Sequence, residues 1–324
     1  MGFVRNLIYE QYFLSVPEPT ASFAHKTVVI TGSNGGLGKE AARHVARLGC
    51  PRLILGVRNT KAGEEARRDI IATTTATESS IEVWEVDLSS FASVRNFARR
   101  AERTLDRLDV LICNAGINTF KYAEREGYES MLTVNVLSTY LMATEFIPLL
   151  ERTASLGPVN GDPAPRPPHL TIVGSDTHMM ASFPERNEPP SKVLSKISAD
   201  CQKSGRLRGQ YAESKLLILL LARDLVAQRG MENSSVVINV TNPGMCYSDL
   251  VHEVAGPAKV LNFVLRARST EEGGGALVNG ASFGKQSHGQ FLSSNKVHKG
   301  SALSRDGETG RKLCTAVDQA LKKT

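Results

Sequence analysis

The stretch that most constrains the fold is a glycine-rich loop near the start of the chain, Thr31–Gly38, with the sequence TGSNGGLG. A short β-branched run, Thr27–Ile30, precedes the loop, and a stretch of helical periodicity, Lys39–Leu48, follows it. A strand, a glycine turn and a helix N-terminus together form an anion site, because bare backbone can approach a pyrophosphate and free amide groups point towards it. A glycine-rich loop alone is a weak signal, but its place between a strand and a helix favours dinucleotide binding over a plain turn.

The end of the second predicted strand, Arg52–Val57, bears on which dinucleotide binds. About twenty residues past the last glycine, an NAD site places an acidic side chain that holds two ribose hydroxyls. Here the chain has Arg58 and Asn59 instead, so no carboxylate would repel a 2′-phosphate, and a guanidinium is present to bind it. The pattern favours NADP(H). The alternative is that Arg58 is an ordinary surface residue at a strand end.

Apolar strands and amphipathic helices alternate along the rest of the chain. The further predicted strands are Ile81–Val86, Val110–Cys113, Leu170–Val173, Val236–Val240 and Gly289–Leu292, and the main predicted helices are Lys61–Ala72, Ser89–Leu105 (capped by Ser89), Tyr128–Leu150 and Arg305–Lys323. This alternation predicts an α/β fold with a single Rossmann-type doubly wound parallel sheet flanked by helices.

The chain is expected to form one domain. We assign residues 1–23 to an N-terminal extension and 24–324 to the Rossmann domain. A long segment before the next motif, at about 178–209, is a candidate lid or substrate wall. The region at about 245–285 is a candidate C-terminal substrate region, by its place after the sixth strand.

A second constraint lies in the stretch Gln210–Leu221, where Tyr211 and Lys215 stand four residues apart. On a helix this spacing places both side chains on one face. A phenol titrates near ~10, so using its anion at neutral pH requires a pKa lower by about 3 units, or roughly 4 kcal/mol. A fixed neighbouring cation is one way to lower the pKa of the phenol by this amount. The alternative is an ordinary amphipathic helix in which the tyrosine and the lysine are incidental.

Polar residues follow several of the predicted strands. Ligands of open parallel sheets bind at the carboxyl ends of the strands, so Ser175 falls at the level of the chemistry, although such a serine is more often a cap or turn residue. Asp87 is placed to accept from an adenine amine or to belong to the turn that follows it. Asn135 lies in an apolar stretch, where an Asn usually satisfies backbone groups. His178, Met179 and Met180, just past Ser175, are candidates to line the pocket, but His178 is expected to be a polar surface residue rather than a ligand or base.

Composition narrows the class of protein. No apolar run approaches the ~20 residues of a membrane span, and nothing at the N-terminus resembles a signal peptide, so a cytoplasmic protein is expected. The five cysteines are odd in number, scattered and without metal spacing, which predicts reduced thiols and no metal site. The net charge is +6, and Lys285–Thr324 carries eight Lys or Arg against three Asp or Glu. The basic residues of this stretch are not interleaved with aromatic residues, so the charge excess favours a solvated basic tail over nucleic-acid binding.

Together these motifs resemble the short-chain dehydrogenases/reductases over roughly Lys26 to Leu250. The motifs that carry the resemblance occur in the family's order: Thr31-Gly32-xxx-Gly36-x-Gly38, Asn114-Ala115-Gly116, Asn135, Ser175, Tyr211-xxx-Lys215 and Pro243-Gly244. Within the family, the chain most resembles the retinol-dehydrogenase-like branch, which includes members that serve fungal secondary metabolism. The features that carry this resemblance are Arg58, the long segment before the tyrosine and the stretch Thr270–Gly273. Two residues depart from the family pattern. Cys113 replaces the first Asn of Asn-Asn-Ala-Gly, where we expect tolerance, and Ser248 replaces a Thr but keeps a hydroxyl for the nicotinamide carboxamide.

The resemblance implies an NADP(H)-dependent oxidoreductase that interconverts a carbonyl and an alcohol. The apolar and Met-containing residues near the expected pocket indicate a bulky, fairly hydrophobic small molecule as substrate. The resemblance also implies that Tyr211 is the acid or base and that Ser175 holds the substrate oxygen. Lys215 would lower the pKa of the tyrosine and bind the nicotinamide ribose, and Asn135 would help to relay protons. The implied cofactor-binding residues are Gly32, Ser33, Asn34, Gly36, Leu37, Gly38, Arg58, Asn59, Asp87, Leu88, Asn114, Ala115, Gly116, Tyr211, Lys215, Pro243, Gly244 and Ser248.

Two other functions stay open at this point. One is a non-catalytic NADP(H) sensor or scaffold on the same fold, although an intact Asn-Ser-Tyr-Lys set speaks against it. The other is an epimerase or dehydratase that uses the nicotinamide transiently. A homodimer or homotetramer is expected because members of the family commonly form them. The residues do not choose among a polyketide, a terpenoid, a retinoid and a steroid as substrate.

Overall fold

The computed structural model describes residues 11–159, 161–162, 165–203, 205–228, 234–247 and 266–322. Its strands are β1 (Thr27–Thr31), β2 (Arg52–Val57), β3 (Ile81–Glu85), β4 (Val110–Cys113), β5 (Glu124–Arg125), β6 (Tyr128–Glu129), β7 (His169–Val173), β8 (Val237–Asn242), β9 (Phe291–Ser293) and β10 (Lys296–His298). Eight of these form one sheet in the order β10-β9-β8-β7-β4-β1-β2-β3, and β5 pairs with β6 in a small hairpin. Only β10, paired with β9, runs antiparallel in the large sheet among the strands described. The predicted doubly wound parallel sheet is confirmed, with one antiparallel edge strand added to it.

Helices cover both faces of the sheet. They are α1 (Gly36–Arg47), α2 (Thr60–Ala72), α3 (Phe91–Thr104), α4 (Thr139–Leu156), α5 (Pro190–Lys203), α6 (Leu207–Gln228), α7 (Thr270–Gly280) and α8 (Gly307–Leu321). Helices α3, α4 and α6 contribute Phe91, Phe146 and Leu217 to one core, and α1 and α7 contribute Val45 and Leu277 to the other. All five residues of β1 and of β7 are buried, as expected of parallel strands covered on both faces.

The predicted helix Tyr128–Leu150 begins later than its sequence pattern indicates. The buried carboxylate of Glu129 accepts hydrogen bonds from the backbone N–H groups of Met131 (2.8 Å) and Leu132 (2.9 Å). A side chain that takes up the first free amide groups defines a helix start. A π-helical stretch, Leu132–Ser138, follows this start and leads into α4.

The predicted cap of α3 is wrong by one residue. Ser90, rather than Ser89, accepts a hydrogen bond from the backbone N–H of Ser93 (3.4 Å).

The stretch Leu132–Leu156 is long and apolar enough for a membrane span, with a mean hydropathy of 1.2, but 78% of the window with that hydropathy is buried inside the protein. This is the environment of a core helix.

The sheet register brings the site residues to one edge. Ile30 in β1 pairs with Ile112 in β4, and Cys113 at the end of β4 pairs with Ile172 in β7. Because parallel strands share a direction, the residues that follow them in sequence meet at the carboxyl edge of the sheet.

Candidate active site

A cavity of about 680 Å³ opens along this edge. Most of the predicted site residues line it, namely Gly32, Asn34, Gly36, Leu37, Gly38, Arg58, Asn59, Asp87, Leu88, Asn114, Ala115, Gly116, Ser175, Tyr211, Lys215, Pro243 and Gly244. Ser33 lies behind the wall, where its hydroxyl donates to the carbonyl of Ile30 (2.9 Å). Asn135 is also behind the wall, and Ser248 lies outside the described residues.

The glycine loop has the shape of a phosphate cradle. Gly32 and Gly36 have positive φ angles, +67° and +52°, which favour glycine. A Cβ atom on Gly38 would lie 2.3 Å from the carbonyl oxygen of Gly32, whereas Cβ atoms on Gly35 and Gly36 would meet nothing within 4 Å. Helix α1 begins at this open side, and Gly35 provides no side-chain cap for its first amide groups. The loop and helix therefore fit the pyrophosphate of a dinucleotide.

Asn114 holds this loop against the end of β4. Its side-chain amide donates to the carbonyl oxygens of Thr31 (2.9 Å) and Gly32 (3.2 Å). The Thr31 hydroxyl in turn accepts from the backbone N–H groups of Asn114 and Ala115, both at 3.1 Å. The preceding Cys113 is buried, and burial raises the pKa of its thiol to about 12. A neutral thiol fits this apolar position, and the tolerance expected there stays a prediction.

Ser175 and Tyr211 form the polar centre of the cavity. Burial raises the pKa of Tyr211 to about 12, and a hydrogen bond from Ser175 opposes this shift. The Ser175 hydroxyl oxygen accepts from the backbone N–H (3.2 Å) and the hydroxyl (2.9 Å) of Thr177. Since both of these contacts are donated to Ser175, its own hydroxyl proton remains available to a neighbouring acceptor. The sequence pattern did not indicate Thr177, because a threonine four residues past the end of a strand carries no motif.

Lys215 lies beside Tyr211, as the four-residue spacing predicts. Its ammonium group is 5.6 Å from the centre of the Tyr211 ring and donates to the carbonyl oxygen of Val173 (2.8 Å). Burial lowers the pKa of Lys215 to about 8. The expected lowering of the tyrosine pKa by this lysine is not what the structure shows. Burial of the phenol has the larger effect and acts in the opposite direction.

Asn135 supports the cavity wall from inside the π-helical stretch. Its amide oxygen accepts from the backbone N–H of Ile117 (2.8 Å), and its amide nitrogen donates to the Ile117 carbonyl (2.8 Å) and the Ser214 hydroxyl (3.0 Å). The Ser214 hydroxyl donates to the carbonyl of Tyr211 (2.7 Å). The side chain thus satisfies backbone groups, as expected for a buried Asn, and it links helix α6 to the wall.

His178 is not a surface residue. Only 1% of it is exposed, so the expectation of a polar surface position is wrong. Its Nδ1 lies 2.7 Å from the Ser175 carbonyl oxygen, and its Nε2 lies 3.1 Å from the backbone N–H of Ser301. A carbonyl only accepts, so Nδ1 carries the proton and Nε2 accepts. The neutral ring therefore ties the Ser175 loop to the C-terminal segment.

This arrangement predicts a pH-dependent stability. Burial lowers the pKa of His178 to about 4, and Arg223 and His298 also disfavour its charged form. The unfolded chain binds the proton near pH 6.5 and the folded chain only near pH 4, so folding stability is lost as the pH falls through this window, by roughly 3 kcal/mol. His178→Gln keeps a donor and an acceptor but does not titrate. Denaturant unfolding should show that the free energy of unfolding falls less steeply from pH 7 to pH 4 in H178Q than in the wild type. Equal slopes in the two proteins would contradict the role of His178 in this pH dependence.

Several residues of the cavity wall carry no sequence signal. Ile117, Thr119, Lys121, Arg125 and Val134 line the cavity, yet they belong to no motif and reach it only because the chain between β4 and α4 folds over the sheet edge. Of the described residues between Ser175 and Tyr211, none lines the cavity. A substrate-wall role for the segment at about 178–209 stays a prediction. That segment is joined to α6 by Arg206, which pairs with Glu185 (2.8 Å) and Glu213 (2.7 Å).

Comparisons with known proteins show which family the chain is similar to. A family model for short chain dehydrogenases matches residues 26–159. The chain is 39% identical over 297 residues to the short chain dehydrogenase/reductase dmxR8 of Cryptosporiopsis sp., covering 92% of this chain and 88% of that protein. It is 36% identical over 307 residues to the short-chain dehydrogenase anuD of Penicillium roqueforti, covering 92% and 76% of the two chains.

Solved structures share the fold. An uncharacterised protein from Mycobacterium paratuberculosis superposes with a TM-score of 0.67 at 24% identity, covering 96% of this chain and 97% of that one. The NADP complex of RhlG from Pseudomonas aeruginosa has a TM-score of 0.60 at 21% identity, with 84% and 95% of the chains covered. With an identity of 39% across nine-tenths of its length and the motif residues gathered around one cavity, this chain belongs to the short-chain dehydrogenase/reductase family.

Proposed function

We propose that the protein is an NADP(H)-dependent oxidoreductase that interconverts a ketone or aldehyde and an alcohol on a bulky, fairly hydrophobic small molecule. The observation that carries this proposal is the grouping of Ser175, Tyr211 and Lys215 in one cavity, with the Lys215 ammonium 5.6 Å from the centre of the tyrosine ring. These groups face the same space as the glycine loop. A proton donor and a dinucleotide cradle thus share one cavity.

The chain's own residues would handle the proton and the substrate oxygen. Because burial keeps the pKa of Tyr211 high, the phenol is protonated at neutral pH and is able to donate to a carbonyl oxygen in the reductive direction. Ser175 would donate a second hydrogen bond to that oxygen. Lys215 would stabilise the phenolate that remains, through its positive charge. NADPH, when bound, supplies the hydride.

The charges of the cavity wall support a phosphorylated cofactor. Four cationic residues line it, Arg58, Lys121, Arg125 and Lys215, whereas Asp87 is the one carboxylate among the described lining residues. Arg58 is exposed at the end of β2 and follows the place where an NAD site carries its acid. A guanidinium there suits a 2′-phosphate.

Reversal of the charge at Arg58 should therefore change the cofactor preference. In Arg58→Glu, we expect the KM for NADPH to rise about 10- to 100-fold, since a charge-assisted contact worth roughly 1.5–3 kcal/mol is replaced by repulsion. The KM for NADH should change little. Steady-state kinetics with both cofactors measure this.

Arg68→Glu is the matched control, because Arg68 is an exposed arginine outside the cavity wall. It makes the same change in net charge without touching the site. If R58E and R68E alter the NADPH KM equally, the effect is long-range and Arg58 does not hold the phosphate.

The substrate is proposed from the character of the wall and from the relatives. Ile117, Ala123 and Val134 add apolar surface beside the polar centre, which suits a bulky, fairly hydrophobic molecule. The relatives named above are fungal dehydrogenases. Their origin supports a secondary metabolite as the substrate class.

A carbonyl panel tests the proposal. The purified protein is incubated with NADPH and a set of hydrophobic ketones and aldehydes, while cofactor oxidation and product formation are followed separately. Consumption of NADPH in step with alcohol formation is the expected result. Binding of NADPH without turnover of any carbonyl would favour a sensor, and product without net cofactor consumption would favour an epimerase or dehydratase.

A further inference from the structure

The turn after β8 forms one wall of the cavity and is held by side chains from outside the site. Pro243 and Gly244 line the cavity, and Gly244 has a φ of +80°. The Pro243 carbonyl accepts from Nη1 of Arg268 (3.0 Å). The Met245 carbonyl accepts from the backbone N–H of Arg268 (2.8 Å) and from the side-chain amide of Gln11 (2.8 Å). Both flanking carbonyls of the turn are thus bound.

Gln11 belongs to an N-terminal segment that lies along the same region. We call residues 11–19 the strap. The Leu14 carbonyl accepts from Nη2 of Arg268 (3.2 Å), and the Pro17 carbonyl accepts from the side chain of Asn279 (2.7 Å). Pro19 is buried and lies against Gly275 in α7, where an added Cβ would be 3.3 Å from its ring. The strap is therefore fixed to the protein at several points along its length.

The contacts at the turn are buried and close. Gln11 is 9% exposed and Arg268 is 5% exposed. A Cβ atom on Gly244 would lie 2.3 Å from Nη1 of Arg268 and 3.3 Å from the amide oxygen of Gln11. The two side chains fill the space against the Cα atom of Gly244, and neither of them is among the residues that line the cavity. A displacement of either one therefore leaves the turn free to shift.

We propose that the strap is part of the cofactor site, and that Gln11 and Arg268 are positioning residues that hold the Pro243–Met245 turn in the shape that the nicotinamide end of NADP(H) requires. The turn carries no side chain at Gly244 that would define its position, so its geometry depends on the groups that bind its carbonyls. The cofactor part of this inference rests on the proposed function. The contacts by which Gln11 and Arg268 hold the turn, which we call the clamp, do not depend on the proposed function.

The clamp is tested first on the protein without cofactor. Gln11→Met preserves the side-chain volume and removes the amide donor, and Ser15→Ala changes an exposed residue of the same strap. Hydrogen–deuterium exchange of a peptide spanning 243–247 should be about three- to tenfold faster in Q11M than in the wild type. S15A should exchange as the wild type does. Equal exchange in Q11M and the wild type would overturn the clamp.

The second measurement concerns NADPH. In Q11M we expect its Kd and KM to rise about three- to tenfold with kcat nearly unchanged, because the turn must be ordered on binding. Arg268→Lys, which keeps the charge but loses the two-pronged guanidinium, should shift KM in the same direction. Faster exchange with an unchanged KM would overturn the cofactor role. If the wild type does not bind NADP(H) at all, the proposed function fails, and the exchange measurement still decides whether Gln11 clamps the turn.

Discussion

Tyr211→Phe should reduce turnover of any carbonyl substrate by about 10²- to 10⁴-fold, the range associated with loss of a general acid. The hydroxyl is the group that burial keeps protonated and that Ser175 contacts. The ring remains in place, so the cavity keeps its shape and the Kd for NADPH should be nearly unchanged. Stopped-flow or steady-state oxidation of NADPH measures the rate, and fluorescence titration measures the binding.

Tyr140→Phe is the matched control for this variant. Tyr140 is a buried phenol outside the described cavity wall, and its hydroxyl is 3.2 Å from the sulfur of Cys314. Loss of the Tyr140 hydroxyl should leave turnover close to that of the wild type. Unchanged turnover in Y211F would refute the enzymatic role of Tyr211 and with it the proposed mechanism.

Gly38→Ala should destabilise the protein by about 3 kcal/mol or more and abolish dinucleotide binding. The added methyl would lie 2.3 Å from the carbonyl oxygen of Gly32 and 2.5 Å from the side-chain nitrogen of Asn114. The first contact is with backbone, so the loop itself must move, and overpacking of this kind is costly. Thermal unfolding and NADPH titration measure the two effects.

Gly35→Ala makes the same chemical change three residues earlier. Its Cβ would meet nothing within 4 Å, and its φ of −169° is extended backbone that alanine adopts readily. The Tm of G35A should therefore stay within a few degrees of the wild type. If G35A and G38A lose stability equally, the close approach of Gly38 to Gly32 is not the reason for a glycine at that position.

Within the proposed function, burial of Tyr211 favours the protonated phenol, which is the form that donates to a carbonyl oxygen in reduction. A phenol with a pKa of about 12 holds its proton at neutral pH. Removal of that proton, as oxidation of an alcohol requires, would need additional positive charge near the ring. Lys215 is positioned to provide part of this charge.

Much of the fold was predictable because its signals are local. The β-branched runs of β1 and β2, the glycines between β1 and α1, and the four-residue spacing of Tyr211 and Lys215 each depend on neighbours in sequence. Helical and strand periods act over a few residues, and a glycine turn needs only its own φ angles. The doubly wound sheet follows from these patterns, whereas cavity-wall residues such as Asn114 and Pro243 were expected from the family resemblance.

The tertiary structure decided the rest, because the deciding contacts join residues far apart in the chain. Gln11 meets Met245 across 234 positions, and His178 meets Ser301 across 123. No spacing rule reaches over such distances. The protonation of Tyr211 likewise depends on the burial of its hydroxyl, since desolvation is set by everything packed around a group and not by the lysine one helical turn away.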